Sequence, residues 1–190
     1  MNVGCDVEKR PAAVLSAMSG IGAIAVAVLD GCVTGIRFGH DSAAAAVSAL
    51  LRPSDRGTRS ESLADTSERD ERLAADVLDR LVRYADGEPV DFSDVAVAVN
   101  HLSTFQRRVV KACRAIPAGQ HRTYGQLAAA AGSPGAARAV GQVMATNRAP
   151  LVVPCQRVLA AGGQLGGFSA PQGLAMKRRL LALEGAYLFG

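Results

Sequence analysis

The sequence has few aromatic and imidazole side chains, and its second half has almost no acids. Its 190 residues include no Trp, three Tyr, five Phe and three His. Residues 101–190 contain eleven Lys and Arg but a single acid, Glu184, whereas residues 1–100 contain ten basic residues and sixteen acids. A half-chain with this excess of positive charge favours a polyanionic partner, although a solvated basic face is the alternative.

Cysteine is also scarce, and its wide spacing excludes a small secreted disulfide scaffold. The four cysteines are Cys5, Cys32, Cys113 and Cys155. We therefore expect reduced thiols and no bound metal. A metal site formed by the first two cysteines with His40 and His101 is a weaker alternative, because zinc ligands usually come in close pairs.

One long apolar run, 11–29, follows a basic pair and superficially resembles a signal peptide. Asp6 and Glu8 occupy the region that would have to be positive, and Gly20 and Gly22 interrupt the run. We therefore expect a cytoplasmic protein without a membrane span. The hydrophobic content of 49% is enough to bury a core and excludes a chain that is disordered throughout.

The first half of the chain predicts a mixed α/β domain. Apolar residues on both sides of Asp30-Gly31 predict a hairpin over 21–38. Helical spacing predicts helices over 41–52 and 71–86, and a short apolar run predicts a strand over 95–99. The polar, charged segment 53–70 is typical of a flexible surface loop.

The second half predicts helices over 103–116, 124–131, 135–145 and 174–184. A turn rich in Gly and Pro joins the second of these to the third, which is the pattern of a helix-turn-helix. Small residues surround Arg138 on the third helix, so that a bare helix surface could approach a DNA groove. Tight packing between helices is the alternative interpretation.

Cys155 is the candidate nucleophile. It follows Pro154 within the apolar run 151–159, which we interpret as a buried strand. The neighbouring Arg157 and the basic half-chain favour the thiolate, which is the nucleophilic form. An inert buried thiol is the alternative. The glycine-rich segment 162–177 lacks the context of a nucleotide-binding motif and suits a lid over this cysteine.

Together these motifs resemble the O6-alkylguanine-DNA alkyltransferases, also called methylated-DNA–protein-cysteine methyltransferases. The matching elements, in order, are Phe105-Gln106, Ile116-Pro117-x-Gly119, Thr123-Tyr124-x-x-Leu127-Ala128, Gly132-x-Pro134, Ala137-Arg138-Ala139-Val140-Gly141, Asn147, Pro154-Cys155-x-Arg157-Val158 and Lys177-x-x-Leu180-Leu181-x-x-Glu184. The first half matches more loosely, through the 21–38 hairpin and the stretch 84–92. The resemblance implies a non-catalytic α/β ribonuclease-H-like domain in residues 1–100. It implies a mostly α C-terminal domain, with a winged-helix-like helix-turn-helix, in residues 101–190.

The resemblance also implies a role for each residue near the thiol. Cys155 would accept the alkyl group, and Tyr124 would press on a phosphate and donate a proton toward the guanine. Asn147 would hold the backbone beside the cysteine. Glu184 would be the distal carboxylate of a relay whose usual His is replaced here by Gln156.

The same resemblance implies a DNA face and a base pocket. Arg138 would enter the base stack in place of the flipped nucleotide, with the helix-turn-helix in the minor groove. The remaining DNA-binding positions would be Thr123, Tyr124, Ala137 and Gly141, and the pocket positions Pro154, Val158, Phe168 and Ser169. Phe168 stands where the family usually has Tyr. The implied partner is double-stranded DNA containing O6-alkylguanine, with O4-alkylthymine a second candidate lesion. No cofactor is implied, and a monomer is expected.

Gln156 leaves three functions open. A Gln cannot accept and release a proton at neutral pH, so the expected enzyme is slow and accelerates toward alkaline pH. A damage sensor that binds and flips the base without transfer is the alternative; retention of Cys155 favours the enzyme. A transcription factor reading the major groove is weaker, because the third helix has few long polar side chains beyond Arg138 and Gln142.

Overall fold

The chain divides into two compact units, residues 1–101 and residues 102–190. A computed structural model describes residues 12–51 and 67–186. No helix in these two ranges is both long enough and apolar enough to cross a bilayer.

The first unit is built on a three-stranded antiparallel sheet in the order β1-β2-β3. The strands are β1 (Ala13–Ala17), β2 (Ala23–Leu29) and β3 (Cys32–His40). Asp30 and Gly31 form the turn between β2 and β3 with positive φ angles of 52° and 72°, a conformation that favours Asn, Asp and Gly. The predicted hairpin is therefore confirmed, whereas β1 was hidden within the long apolar run.

Two helices, α1 (Ala43–Leu50) and α2 (Glu68–Ala85), pack against this sheet. Every residue of β2 is buried, which requires that both faces of the central strand be covered. The small side chains of Ala23, Ala25 and Ala27 cluster with Ala46 and Leu50 of α1. The larger alternate residues of β2 point to the opposite face, where α2 contacts β1 and β2.

Two sequence predictions in this unit need correction. The predicted loop 53–70 extends too far, because Ser67 caps α2 by accepting a hydrogen bond from the Asp70 backbone N–H and the helix begins at Glu68. The rest of that loop lies outside the described residues. The predicted strand 95–99 is only an isolated parallel bridge between Val33 and Val97.

The hairpin turn is fixed by a buried carboxylate on α2. Asp70 is 5% exposed, and its two oxygens accept hydrogen bonds from the backbone N–H groups of Asp30 (2.9 Å) and Gly31 (2.7 Å). Backbone donors in a tight turn have no strand partner, so this carboxylate supplies the acceptors they need.

We expect Asp70→Asn to lower the free energy of unfolding by about 1–3 kcal/mol, because the amide can accept at only one of its two atoms. Urea unfolding measures the change. Glu68→Gln on the same helical turn is the matched control, since its ion pair with Arg72 is exposed and should contribute less than about 1 kcal/mol. Equal losses in the two variants would contradict a special role for Asp70.

The second unit is mostly helical. Its helices are α3 (Thr104–Arg114), α4 (Tyr124–Ala130), α5 (Ala137–Ala145) and α6 (Gly173–Leu183). Two short strands, β4 (Arg122–Thr123) and β5 (Val158–Leu159), pair in parallel, and 3-10 turns occupy Cys155–Arg157 and Ala161–Gly163.

The helix-turn-helix prediction corresponds to α4 and α5, which pack against each other and against α3. α3 and α4 begin with capping boxes, in which Ser103 pairs with Gln106 and Thr123 with Gln126. Gly132 and Gly135 have positive φ angles in the turn between α4 and α5, which explains why glycine is needed there.

The cysteines differ from the expectation of reduced thiols at one position. Cys113 and Cys155 are free, but Cys32 is disulfide-bonded. The alternative metal site includes Cys5, which lies outside the described residues. Within residues 12–51 and 67–186, no three His, Cys, Asp or Glu side chains are grouped to hold an ion.

Candidate active site

Cys155 lies at the first position of a 3-10 turn, so the prediction that 151–159 forms one strand is wrong. Leu151 has a φ of 72°, and Val153 forms only an isolated bridge with Pro150. Only Val158 and Leu159 form a strand. The apolar run reflects burial rather than extension, because nearly every residue in it is buried. Cys155 as a whole residue is 8% exposed and counts as buried.

Asn147 braces the backbone that leads into the reactive turn. Its side-chain Nδ2 donates to the Val153 carbonyl (2.8 Å), and its Oδ1 accepts from the Ala149 N–H (3.1 Å). The Val153 carbonyl also accepts from the Cys155 N–H (2.8 Å). These bonds connect the backbone on both sides of Leu151, and a hydrogen bond from Asn147 to the thiol favours the thiolate form.

A buried ion pair connects the reactive turn to the end of α6. Arg157 donates through Nε to Glu184 Oε2 (2.8 Å) and through Nη2 to Glu184 Oε1 (3.1 Å). Its Nη1 donates to the Ile116 carbonyl (2.5 Å), just beyond α3. The Arg157 side chain is 12% exposed and that of Glu184 is 2% exposed. This bidentate pair therefore ties three segments of the unit together.

Gln156 joins the same pair from inside the core. It is fully buried, and its Nε2 donates to Glu184 Oε1 (2.8 Å). A carboxylate oxygen is an acceptor only, so the amide must present its NH2 group to Glu184. Gln156 is thus held in place by Glu184 but offers no group that can take a proton from Cys155 at neutral pH.

Tyr124 is brought to the site by the start of α4. Thr123 caps this helix and also pairs with Leu159 in the parallel β4–β5 ladder, four residues beyond Cys155. The Tyr124 phenol interacts electrostatically with Cys155. Burial, followed by the charges of the neighbouring thiolates, raises the pKa of Tyr124, so the phenol keeps its proton around neutral pH.

The glycine-rich segment packs directly on Tyr124. Gly166 has a φ of 66°, and a Cβ atom built there would lie 3.0 Å from Cε2 of the Tyr124 ring. A Cβ atom added to Gly167 would have no other atom within 4 Å. A glycine is therefore required at 166 both for its backbone conformation and for its close approach to the phenol ring.

Burial controls the acidity of the thiol. It raises the pKa of Cys155, while a hydrogen bond from Asn147 and the positive charge of Lys177 act in the opposite direction. Because the thiolate is the reactive form, its fraction is small at neutral pH and increases as the pH rises. Sequence reasoning did not identify Lys177 as buried, since a lysine followed by two arginines reads as a solvated helix face.

The residues predicted to contact DNA lie at the start of α4 and on α5, and none of them is buried. Arg138 is exposed, and Ala137 and Gly141 are partly exposed. Gly141 has no atom within 4 Å of a built Cβ, so its small size does not serve packing within the described residues of this unit. Among the predicted pocket residues, Pro154 and Val158 are buried, Phe168 is partly buried and Ser169 is exposed.

Fold and site together define a protein with a helix-turn-helix and a buried, hydrogen-bonded cysteine in the same unit. The family model for the 6-O-methylguanine DNA methyltransferase DNA-binding domain matches residues 104–186. The methylated-DNA–protein-cysteine methyltransferase of Methanopyrus kandleri is 50% identical over 106 residues, which cover 56% of this chain and 76% of the relative. That of Mycolicibacterium paratuberculosis is 44% identical over 113 residues, which cover 60% of this chain and 66% of the relative's length.

Solved structures extend the similarity over both units. The O6-methylguanine methyltransferase of Mycobacterium tuberculosis has a TM-score of 0.68 and 32% identity, covering 91% of this chain and 92% of that one. The corresponding protein of Pyrococcus kodakaraensis has a TM-score of 0.63 and 26% identity, covering 91% and 98%. The chain belongs to the methylated-DNA–protein-cysteine methyltransferase family, and its mixed α/β fold is the fold of these enzymes.

We expect Gly166→Ala to lower the free energy of unfolding by about 1–3 kcal/mol, because a side chain there is strained at positive φ and collides with Tyr124. Gly167→Ala is the matched control and should be nearly neutral, since its Cβ meets open space. Denaturant unfolding of both variants measures the difference. An unchanged free energy of unfolding in Gly166→Ala would mean that the glycine-rich segment does not depend on this contact with Tyr124.

Proposed function

We propose that this protein repairs DNA by transferring the alkyl group of O6-alkylguanine to its own Cys155, once per molecule. The observation that carries the proposal is the setting of this cysteine: a buried thiol on a rigid turn, braced by Asn147 and beside the Tyr124 phenol. Family membership supports the same reaction. The Mycobacterium tuberculosis relative has been solved in complex with DNA, which supports a DNA partner here.

The reaction balances without a cofactor. The Cys155 sulfur forms a bond to the alkyl carbon, and the bond from that carbon to guanine O6 breaks with its electron pair going to the base. Tyr124 donates a proton to the guanine and recovers one from solvent, while Cys155 loses its own to solvent. The net transfer moves one alkyl group to sulfur and one proton to guanine, and the thioether product is stable.

The exposed surface of α5 is the proposed DNA contact. A helix with Ala137 and Gly141 around Arg138 can approach a minor groove closely, and the Arg can replace a flipped nucleotide in the stack. Thr123 and Tyr124 at the start of α4 would contact the phosphate of that nucleotide. Flipping is necessary because the alkyl carbon is unreachable within a duplex, and it costs a few kcal/mol. Phe168, Ser169, Pro154 and Val158 would line the base pocket.

The architecture assigned to each unit follows the same resemblance. We propose the winged-helix-like description for residues 101–190 and the ribonuclease-H-like description for residues 1–100, the latter without a catalytic residue. The acid-rich composition of residues 1–100 suits a surface that does not contact phosphates. A monomer acting in the cytoplasm on double-stranded DNA, with O4-alkylthymine as a second lesion to test, completes the proposal.

Among the described residues, the site offers no base that could remove the proton from the Cys155 thiol. Both carboxylate oxygens of Glu184 accept hydrogen bonds from Arg157 and Gln156, and Gln156 cannot act as a base. A positioned general base typically contributes about 10²–10⁴-fold. Cysteine tolerates its loss better than other nucleophiles, because a few per cent is thiolate at pH 7 without help.

We expect exposure to a duplex containing O6-methylguanine to increase the intact mass of the protein by one methyl group, located on Cys155. The rate should increase from pH 7 to pH 9, because burial raises the pKa of the thiol and a higher pH supplies more thiolate. Single-turnover mass spectrometry measures both effects. Cys155→Ser should abolish the increment and Cys113→Ser should retain it. No increment after long incubation at pH 9 would refute the proposed transfer.

Restoring an imidazole at position 156 should accelerate transfer. We expect Gln156→His to raise the single-turnover rate at pH 7 by roughly 10²–10⁴-fold, since it would add a base at the residue that follows Cys155 and contacts Glu184. Gln156→Asn is the control, because it keeps an amide and adds no base. An unchanged rate in Gln156→His would show that a missing base does not limit this enzyme.

A damage sensor is the second candidate function, and the locked Gln156–Glu184 contact is the observation that favours it. A sensor would bind the alkylated duplex more tightly than the unmodified one and leave the mass of the protein unchanged. Fluorescence anisotropy on the two duplexes, run with the mass measurement, separates the two functions.

A further inference from the structure

Lys177, in the middle of α6, is completely buried. Its Nζ donates hydrogen bonds to the carbonyl oxygens of Val158 (2.6 Å) and Leu165 (2.5 Å), and lies 5.9 Å from the centre of the Phe168 ring. Lysine is almost never fully buried unless its charge is paired. We therefore expect an anionic group near the Lys177 ammonium that balances its charge.

The described residues of this unit contain no carboxylate for it. Glu184 is the sole acid of residues 101–190, and its oxygens accept from Gln156 and Arg157. Two carbonyls and an aromatic face ease the burial of an ammonium but do not neutralise it. Burying the Lys177 ammonium without a carboxylate therefore lowers the stability of the fold. A role of this positive charge in the reaction of Cys155 would explain why the lysine is there.

Two thiols, those of Cys155 and Cys113, interact electrostatically with Lys177, and of the two it is Cys155 that also receives hydrogen bonds favouring the thiolate. The ammonium lowers the pKa of the Cys155 thiol, and the Cys155 thiolate raises the pKa of the ammonium. The chain also connects them, because the Val158 carbonyl that holds Nζ lies three residues beyond Cys155, at the end of the reactive turn.

We propose that Lys177 is the cationic partner of the Cys155 thiolate and compensates for the imidazole that this chain lacks at position 156. The inference rests on the proposed function only for its consequence in DNA repair. Lys177 keeps its proton throughout the reaction, while Cys155 gives its proton to solvent. The positive charge stabilises the thiolate until the sulfur forms its bond to the alkyl carbon.

Two other titratable groups interact electrostatically with this pair, and both keep their protons near neutral pH. Burial raises the pKa of Cys113 on α3 far above its ordinary value, and burial also raises that of Tyr124 on α4. Arg157 and Glu184 neutralise each other. Desolvation lowers the pKa of Lys177 to about 8, so it is mostly charged at pH 7 and loses its charge above pH 8.

The first test compares Lys177→Met and Lys177→Arg with the parent in the alkylation of Cys155 by iodoacetamide without DNA. At pH 7, Lys177→Met should be about tenfold slower, the effect of raising the thiol pKa by one unit. The ratio should shrink toward one well above pH 8, where the parent Lys177 is itself neutral. Lys177→Arg should keep most of the parent rate. Lys111→Met on the exposed surface of α3 is the charge-matched control and should leave the rate unchanged.

A purely structural role for Lys177 predicts a different result. The alkylation rate of Cys155 would then be lower in Lys177→Met by the same factor at every pH, and lower by a similar factor in Lys177→Arg. Either of these patterns, or a parent-like rate in Lys177→Met, would overturn the inference.

A second measurement needs no change at Lys177. The chain has only three lysines, so the Cε resonance of Lys177 can be followed by NMR after 13C labelling of lysine. Coupling is reciprocal, so Cys155→Ser should lower the midpoint at which Lys177 titrates. Cys113→Ser should lower it less, because burial keeps the Cys113 thiol protonated at the pH where Lys177 titrates. Equal midpoints in the parent and Cys155→Ser would refute the pairing. Iodoacetamide and NMR report on the pair even if transfer from DNA fails, so the two proposals are tested separately.

Discussion

The ion pair between Arg157 and Glu184 is the contact on which the geometry of the second unit depends. It joins the end of α6 to the turn that carries Cys155, and through the Ile116 carbonyl it reaches the end of α3. Burying one unpaired charge costs more free energy than burying two charges that form an ion pair. Loss of either Arg157 or Glu184 would therefore be destabilising, because it would leave an unpaired charge in the core. The position of the thiol is thus set by electrostatics as well as by packing.

That structural use of Glu184 limits its chemistry. Its oxygens accept two hydrogen bonds from the Arg157 guanidinium and one from the Gln156 amide, and Gln156 cannot carry a proton between this carboxylate and sulfur. The remaining groups divide the work of the reaction. In the proposed reaction, Asn147 fixes the turn, Tyr124 holds a proton for the leaving base, and Lys177 provides positive charge that favours the thiolate.

The sequence predicted most of the helices because their ends carry strong local signals. Ser103 and Thr123 form capping boxes, and Asp30-Gly31 forms a turn, so each boundary could be predicted within a few residues. The region around Cys155 was predicted poorly. An apolar run of nine residues has the same composition whether it is a strand or a set of buried turns, and only tertiary contacts separate the two. Two-residue strands such as β4 and β5 leave no periodic signal at all.

The scarcity of acids in residues 101–190 has a consequence inside the protein as well as on its surface. With Glu184 committed to Arg157, this unit has no second carboxylate that could neutralise Lys177. An acid placed beside Lys177 would form a stable ion pair and remove the positive charge from the thiol, which would raise the pKa of Cys155 toward that of an inert buried cysteine. The same lack of acids keeps the surface around Arg138 free of repulsion toward phosphate. A single compositional feature thus suits both the proposed approach to DNA and the activation of the nucleophile.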